Sequence, residues 1–79
     1  MTLDQLPRNQ SATISSIDWS LLDEREARRL QELGFDAGAE VSSLHRGVLF
    51  WRDPIAVRIG RMTVAMRKAH AAAMTIAPA

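Results

Sequence analysis

The chain has 79 residues, 12 of them Ala, no Cys, two His and a formal charge of +1. That length holds one small domain. It excludes a dinucleotide-binding enzyme and a barrel of parallel strands. The lack of Cys excludes a disulfide framework, an iron–sulfur cluster and thiolate zinc.

No apolar run approaches the roughly 20 residues that a membrane-spanning helix needs. The start, Met1 to Gln10, has neither a positive opening nor an apolar stretch, so it reads as no signal peptide and a cytoplasmic location is expected. Residues 1–40 carry eight acids and four bases; residues 41–79 carry six bases and only Asp53. Basic side chains alternating with core residues on exposed strand faces account for this asymmetry; an anionic partner is the other reading.

Leu3 and Leu6 precede Pro7, which favours an extended entry. Arg8-Asn9-Gln10 reads as a turn, because Asn tolerates positive φ. Ala12 to Ile17 is β-branched and reads as a strand. Ile14 and Ile17 cannot share a face at strict period two, and a bulge near Ser15-Ser16 reconciles them. Trp19 follows, as an anchor or a lid on the core.

A helix of about Leu22–Leu33 comes next, capped by Ser20 or Asp23. Its acids Asp23, Glu24 and Glu26 suit the positive end of the dipole. Ala27, Leu30 and Leu33 form its apolar stripe. Glu24–Arg28 and Arg28–Glu32 are i,i+4 pairs on the wet side. Gly34 ends it in the left-handed region. So short a helix does not stand alone in water, so Leu30, Leu33 and Phe35 are expected to be buried against the rest of the domain.

Gly38 then permits a turn, and the period changes to two. Val41–Leu44 is a strand, Arg46-Gly47 a turn or bulge, and Val48 to Trp51 is apolar on both faces. Arg52-Asp53-Pro54 is a turn. Ile55, Val57 and Ile59 alternate with Ala56 and Arg58. Gly60-Arg61 suits a two-residue hairpin with Gly first. Met62, Val64 and Met66 alternate with Thr63 and Ala65, and Met62 and Met66 are expected to fill core. Ala69–Ala73 forms about one helical turn, and Met74–Ala77 a last short strand. Five short strands and one helix after the first strand predict a mainly β fold, a small closed or half-open barrel with the helix over one end.

The run Arg28-Arg29-Leu30-Gln31-Glu32-Leu33-Gly34-Phe35, followed by Gly38 and Val41, resembles the signature of FeoA-domain proteins. So does Asp53-Pro54-Ile55-Ala56-Val57-Arg58-Ile59-Gly60. Val64 to Ala71 is similar to that family's last strand and turn. The resemblance covers about Leu3 to Ile76. It implies a five-stranded SH3-like barrel forming a single domain over residues 1–79, with its core at about 3–77. It also implies a small cytoplasmic accessory of bacterial ferrous iron transport, whose partner is FeoB, the membrane transporter with a GTPase domain. The same fold forms the C-terminal domain of iron-dependent repressors of the diphtheria-toxin-repressor type. This chain is too short to hold a helix-turn-helix and a dimerisation domain as well. Asn9, Ala37 and Arg61 stand where the family often has Gly, Pro and Gly.

No residue set for catalysis is present: no Ser-His-acid arrangement, phosphate loop or paired metal motif. An enzyme is therefore not expected. For a transition metal the candidates are His45, His70 and Asp53, with Glu40 a further acid. Ferrous iron takes imidazole and carboxylate, and these residues are spread over separate elements. Weak surface binding of a transition metal ion, and no resident cofactor, is the expectation. Protein binding fits better, with Trp51 as an aromatic anchor and Arg46, Arg52 and Arg61 as further partner-binding candidates. The alternatives are nucleic-acid binding by the basic half, which a net charge of +1 argues against, and a detached regulatory domain of the repressor type.

Overall fold

The computed structural model describes residues 1–45 and 54–78, the side chain of His45 excepted. The apolar segment Val48–Trp51, the expected turn or bulge at Arg46-Gly47 and the positions Arg52 and Asp53 lie outside the described residues.

Strands β1 (Ser11–Ile17), β2 (Glu40–His45), β3 (Ile55–Ile59), β4 (Met62–Met66) and β5 (Met74–Pro78) form one antiparallel sheet in the order β4-β3-β2-β1-β5. Helix α1 (Glu24–Leu33) follows β1, and the single turn α2 (Lys68–Ala71) joins β4 to β5. The fold is the mainly β, five-stranded one that the periodicities predict. Its inner face carries Ala12, Ile14, Val41, Val57, Val64, Met66, Met74 and Ile76, all buried.

Local chemistry explains each junction. Asn9 holds φ at +65°, and its N–H reaches the Ser43 carbonyl at 2.6 Å, starting the β1–β2 ladder. The register of β1 against β5 shifts between Ile14 and Ser16, the bulge that lets both Ile14 and Ile17 lean on the core. Trp19 sits in a short 3-10 turn (Trp19–Leu21), half-buried against the core as a lid.

Asp23 caps α1: its carboxylate accepts from the Glu26 N–H at 2.7 Å. Ser20 belongs to the preceding 3-10 turn, so the helix starts two residues later than the sequence pattern suggests. At the other end Gly34 adopts φ +106°. The Gly34 N–H donates to the Gln31 carbonyl (3.1 Å) and the Phe35 N–H to the Leu30 carbonyl (2.9 Å), a Schellman closure. The apolar contact that goes with this closure joins Leu30 and Phe35, both 0% exposed.

Three sequence expectations need correction. Leu3 to Gln5 is a 3-10 turn rather than extended entry, though both Leu3 and Leu6 reach the core. The segment is held by the edge of β5, where the Ile76 N–H donates to the Met1 carbonyl at 2.9 Å and Thr2 bridges Thr75. Leu33 is only half-buried, because the helix turns it toward the barrel's rim. Met62 is 43% exposed although it shares the inner-face parity of Val64 and Met66. It is the first residue of β4, beyond the reach of the core side chains that cover the next two.

Leu30→Ala is expected to cost about 2–5 kcal/mol, as for other fully buried leucines. At roughly 4–8 °C per kcal/mol for a domain of this size, the melting temperature should fall by about 10 °C or more. Leu21→Ala, at a position 64% exposed, is the control and should change stability by less than about 0.5 kcal/mol. Gly34→Ala should cost about 1–2 kcal/mol. Space is not the cause, since a Cβ there would sit 3.7 Å from Ile59 Cδ1, an ordinary contact. A thermal melt of each variant checks all three.

Candidate partner-binding site

The β3–β4 hairpin places a groove at one end of the barrel. Its two-residue turn, Gly60-Arg61, joins Ile59 to its partner Met62, with Gly60 at φ +58°. Gly34 and Leu33, at the end of α1, form the facing wall. The groove has a volume of about 520 Å³. Ile59, Leu33 and Met62 give it an apolar floor, and Glu40, Arg58 and Arg61 stand at its rim.

The rim follows from strand register. Ser11 pairs with Ser42, Ser42 with Arg58 and Arg58 with Thr63, so these four side chains form one outward row across β1 to β4. The Ser11 and Ser42 hydroxyl oxygens lie 3.0 Å apart. Arg58 and Arg61 are exposed and make no ion pair among the described residues. Such a lining, a few apolar side chains among hydroxyls and exposed charges, suits a protein partner better than a small substrate.

A larger hollow, about 680 Å³, runs along α1 between Glu24, Arg25, Arg28 and Glu32. Leu33 is its one apolar residue, and the rest of its lining is charged side chains of α1.

A second polar cluster ties α1 to α2. The Arg29 guanidinium donates from Nε and from one terminal nitrogen to the two oxygens of Glu26, each at 2.8 Å. His70 Nδ1 lies 3.2 Å from Glu26 Oε2, out of solvent but without hydrogen-bond geometry. The hydrogen bonds from Arg29 hold the Glu26 carboxyl below its ordinary value of 4.5; burial opposes them, and the charge of Arg29 and the proximity of His70 add to them. The same bonds push Arg29 further up. Of the expected surface pairs, Arg28 meets Glu24 at 3.4 Å. The better pair is Glu26–Arg29, at spacing i,i+3, which the pattern of charges on α1 already contained. The contact to His70 had no local signal, because it joins two elements distant in sequence.

His70 is thus a half-buried neighbour of Glu26 rather than a plain surface histidine. His45 ends β2, with its backbone paired to Ala56. Asp53, Arg46, Trp51 and Arg52 lie outside the described residues. Pro54 is half-buried just before β3, and Gly38 holds φ +91°. Among the described residues no group of three or more His, Asp or Glu side chains converges on a point that could hold a metal ion. Among them, too, no helix is long and apolar enough to cross a membrane.

The family model of the FeoA domain matches residues 1–78. The zinc complex of FeoA from Stenotrophomonas maltophilia, an SH3 domain protein discussed as a ferrous iron transport activating factor, is similar. It is 34% identical, with a TM-score of 0.81, over 98% of this chain and 89% of that one. FeoA from Chlorobium tepidum is 30% identical, with a TM-score of 0.81, over 96% of this chain and 68% of that one. IdeR from T. acidophilum shares the fold at 15% identity, with a TM-score of 0.81, over 100% of this chain and 34% of that one. No curated protein matches the chain.

Glu26 contributes stability that is fully present above its ordinary value and is lost as pH falls through and below it. Glu26→Gln should therefore lower the urea midpoint at about pH 7 and lower it less as pH falls toward about 3. An equal loss at both pH values would mean that the side chain acts by packing alone. Calorimetric titration with ferrous, zinc or manganese ions should give weak binding or none. A sub-micromolar 1:1 isotherm abolished by His45→Ala or His70→Ala would establish a metal site.

Proposed function

The chain belongs to the FeoA family, which is linked to ferrous iron transport, and from that premise we propose that it is a non-catalytic accessory of the transporter. In this reading it binds the cytoplasmic part of a FeoB-like membrane protein that carries a GTPase domain. Binding modulates that protein by favouring one of its states over another, which requires only a difference in affinity between them. The observation that carries the reading is the family match over residues 1–78, together with an identity of 34% to a FeoA protein along nearly the full length of both chains. The groove beside Met62 adds a surface whose composition suits a protein.

Trp51 is the proposed anchor, with Arg46, Arg52 and Arg61 as further contacts to the partner. A large aromatic side chain that loses its water on docking outweighs a charge at a wet rim. Trp51→Ala should therefore weaken binding more than Arg61→Ala.

The test is a titration of the chain with the purified GTPase-bearing region of the FeoB-like protein from the same genome. Micromolar affinity is expected, falling less than about tenfold between roughly 50 and 200 mM salt. A nucleic-acid binder that neutralises 6–10 phosphates would lose about 10³–10⁵-fold over the same range. Tight, steeply salt-dependent binding to single-stranded DNA, with none to the GTPase region, would overturn the proposal.

A further inference from the structure

We infer that the groove at the hairpin end of the barrel receives an acidic segment of the partner, with an apolar side chain on Met62, Ile59 and Leu33 and a carboxylate at Arg58 and Arg61. The inference rests on the partner reading above and assigns the face and the chemistry of the contact.

Three observations lead to it. The first is Met62. Its register opposite Ile59 puts it on the inner face, where Val64 and Met66 are 5% and 1% exposed, yet it stands 43% exposed. Among the described residues it is one of three large apolar side chains open to water, with Met1 and Leu21, and it lines the groove. Methionine is unbranched and polarisable, so it adapts to a partner side chain with little strain.

The second is Gly34. Its left-handed φ is needed by the helix end, but its missing side chain also leaves the floor open. A Cβ at this position would sit over Ile59 Cδ1 at 3.7 Å. The glycine that closes the helix therefore puts no side chain between Leu33 and Ile59, and all three residues line the groove.

The third is charge. Arg58 and Arg61 are both exposed at the rim and have no ion pair among the described residues, whereas Glu40 is the one acid that lines the groove there. Two guanidinium groups beside an apolar floor complement a segment that carries an apolar residue next to Asp or Glu. A guanidinium meets a carboxylate through two parallel hydrogen bonds, which fixes direction as well as sign. A nucleic-acid strand suits the groove less well, since Glu40 would face its phosphates and the floor offers no aromatic ring for a base.

The experiment is an NMR titration of the full chain, isotopically labelled, with the unlabelled GTPase-bearing region of the FeoB-like protein. Shifts should centre on Leu33, Ile59 and the Met62 methyl group. The double variant R58E/R61E should raise the Kd at least about tenfold, since it replaces attraction by repulsion. Its own spectrum should stay native, because both positions are exposed. Glu40→Lys should tighten binding severalfold. R25E/R28E changes the net charge equally but lies on the outer face of α1, and it should change the Kd by no more than about twofold. Equal losses in the two double variants, weaker binding by Glu40→Lys, or shifts centred away from the groove would overturn the inference and leave the partner reading standing. Absence of any binding by the unaltered chain would overturn both. Shifts at the groove produced by single-stranded DNA in place of the GTPase region would assign it to nucleic acid instead.

Discussion

At the C-terminus of α1, the left-handed Gly34 turns the chain so that the Phe35 N–H meets the Leu30 carbonyl, and both side chains drop into the core. A ten-residue helix has too few hydrogen bonds to persist alone in water. Burial of Leu30 and Phe35 holds it in place, and the sharp turn lets β2 begin six residues after Gly34. The same turn brings the Gly38 N–H onto the Ile14 carbonyl at 2.7 Å, which pins the connection beside β1.

The rest of the barrel is built by alternation, and its exceptions place the candidate site. Strands β3 and β4 bury Ile55, Val57, Ile59, Val64 and Met66 on one side and leave Arg58, Thr63 and Ala65 on the other. Alternation fixes which face a side chain takes. It does not fix how far along the strand the core extends. At the hairpin end the inner face runs out past the packed interior, and there Met62 and Leu33 border a groove. The residues that make this groove polar at its edge, Arg58 and Ser42, belong to the outer face of the same strands.

Electrostatics on the helix serve cohesion. Glu26 is a carboxylate with two Arg29 N–H groups on it and His70 at 3.2 Å, so one side chain joins the first turn of α1 to α2. The pairing is worth more than an open surface pair because the Glu26 side chain is only 17% exposed. Arg28 and Glu24, at 69% and 90% exposure, contribute little by comparison. The charges on α1 are thus divided between one that organises packing and several that keep the outer face in water.

By itself the sequence determined the strand periods, the left-handed positions at Asn9, Gly34, Gly38 and Gly60, the bulge after Ile14 and a helix cap at either Ser20 or Asp23, between which the structure chose Asp23. Each of these depends on chemistry within a few residues: a missing Cβ, a β-branch, a carboxylate three positions before a free N–H. The FeoA resemblance was legible for the same reason, since its motif lies in the helix end and the turn after it. The tertiary structure decided what depends on distant partners. It exposed Met62 at an inward position, half-covered Leu33, held Leu3 in a 3-10 turn against β5, and set His70 beside Glu26. It also gathered Leu33, Ile59, Met62, Arg58 and Arg61, which lie on α1, β3, β4 and the turn between the two strands, around one groove. No spacing in a single chain encodes such a meeting, because it is fixed by strand order and by where the core ends.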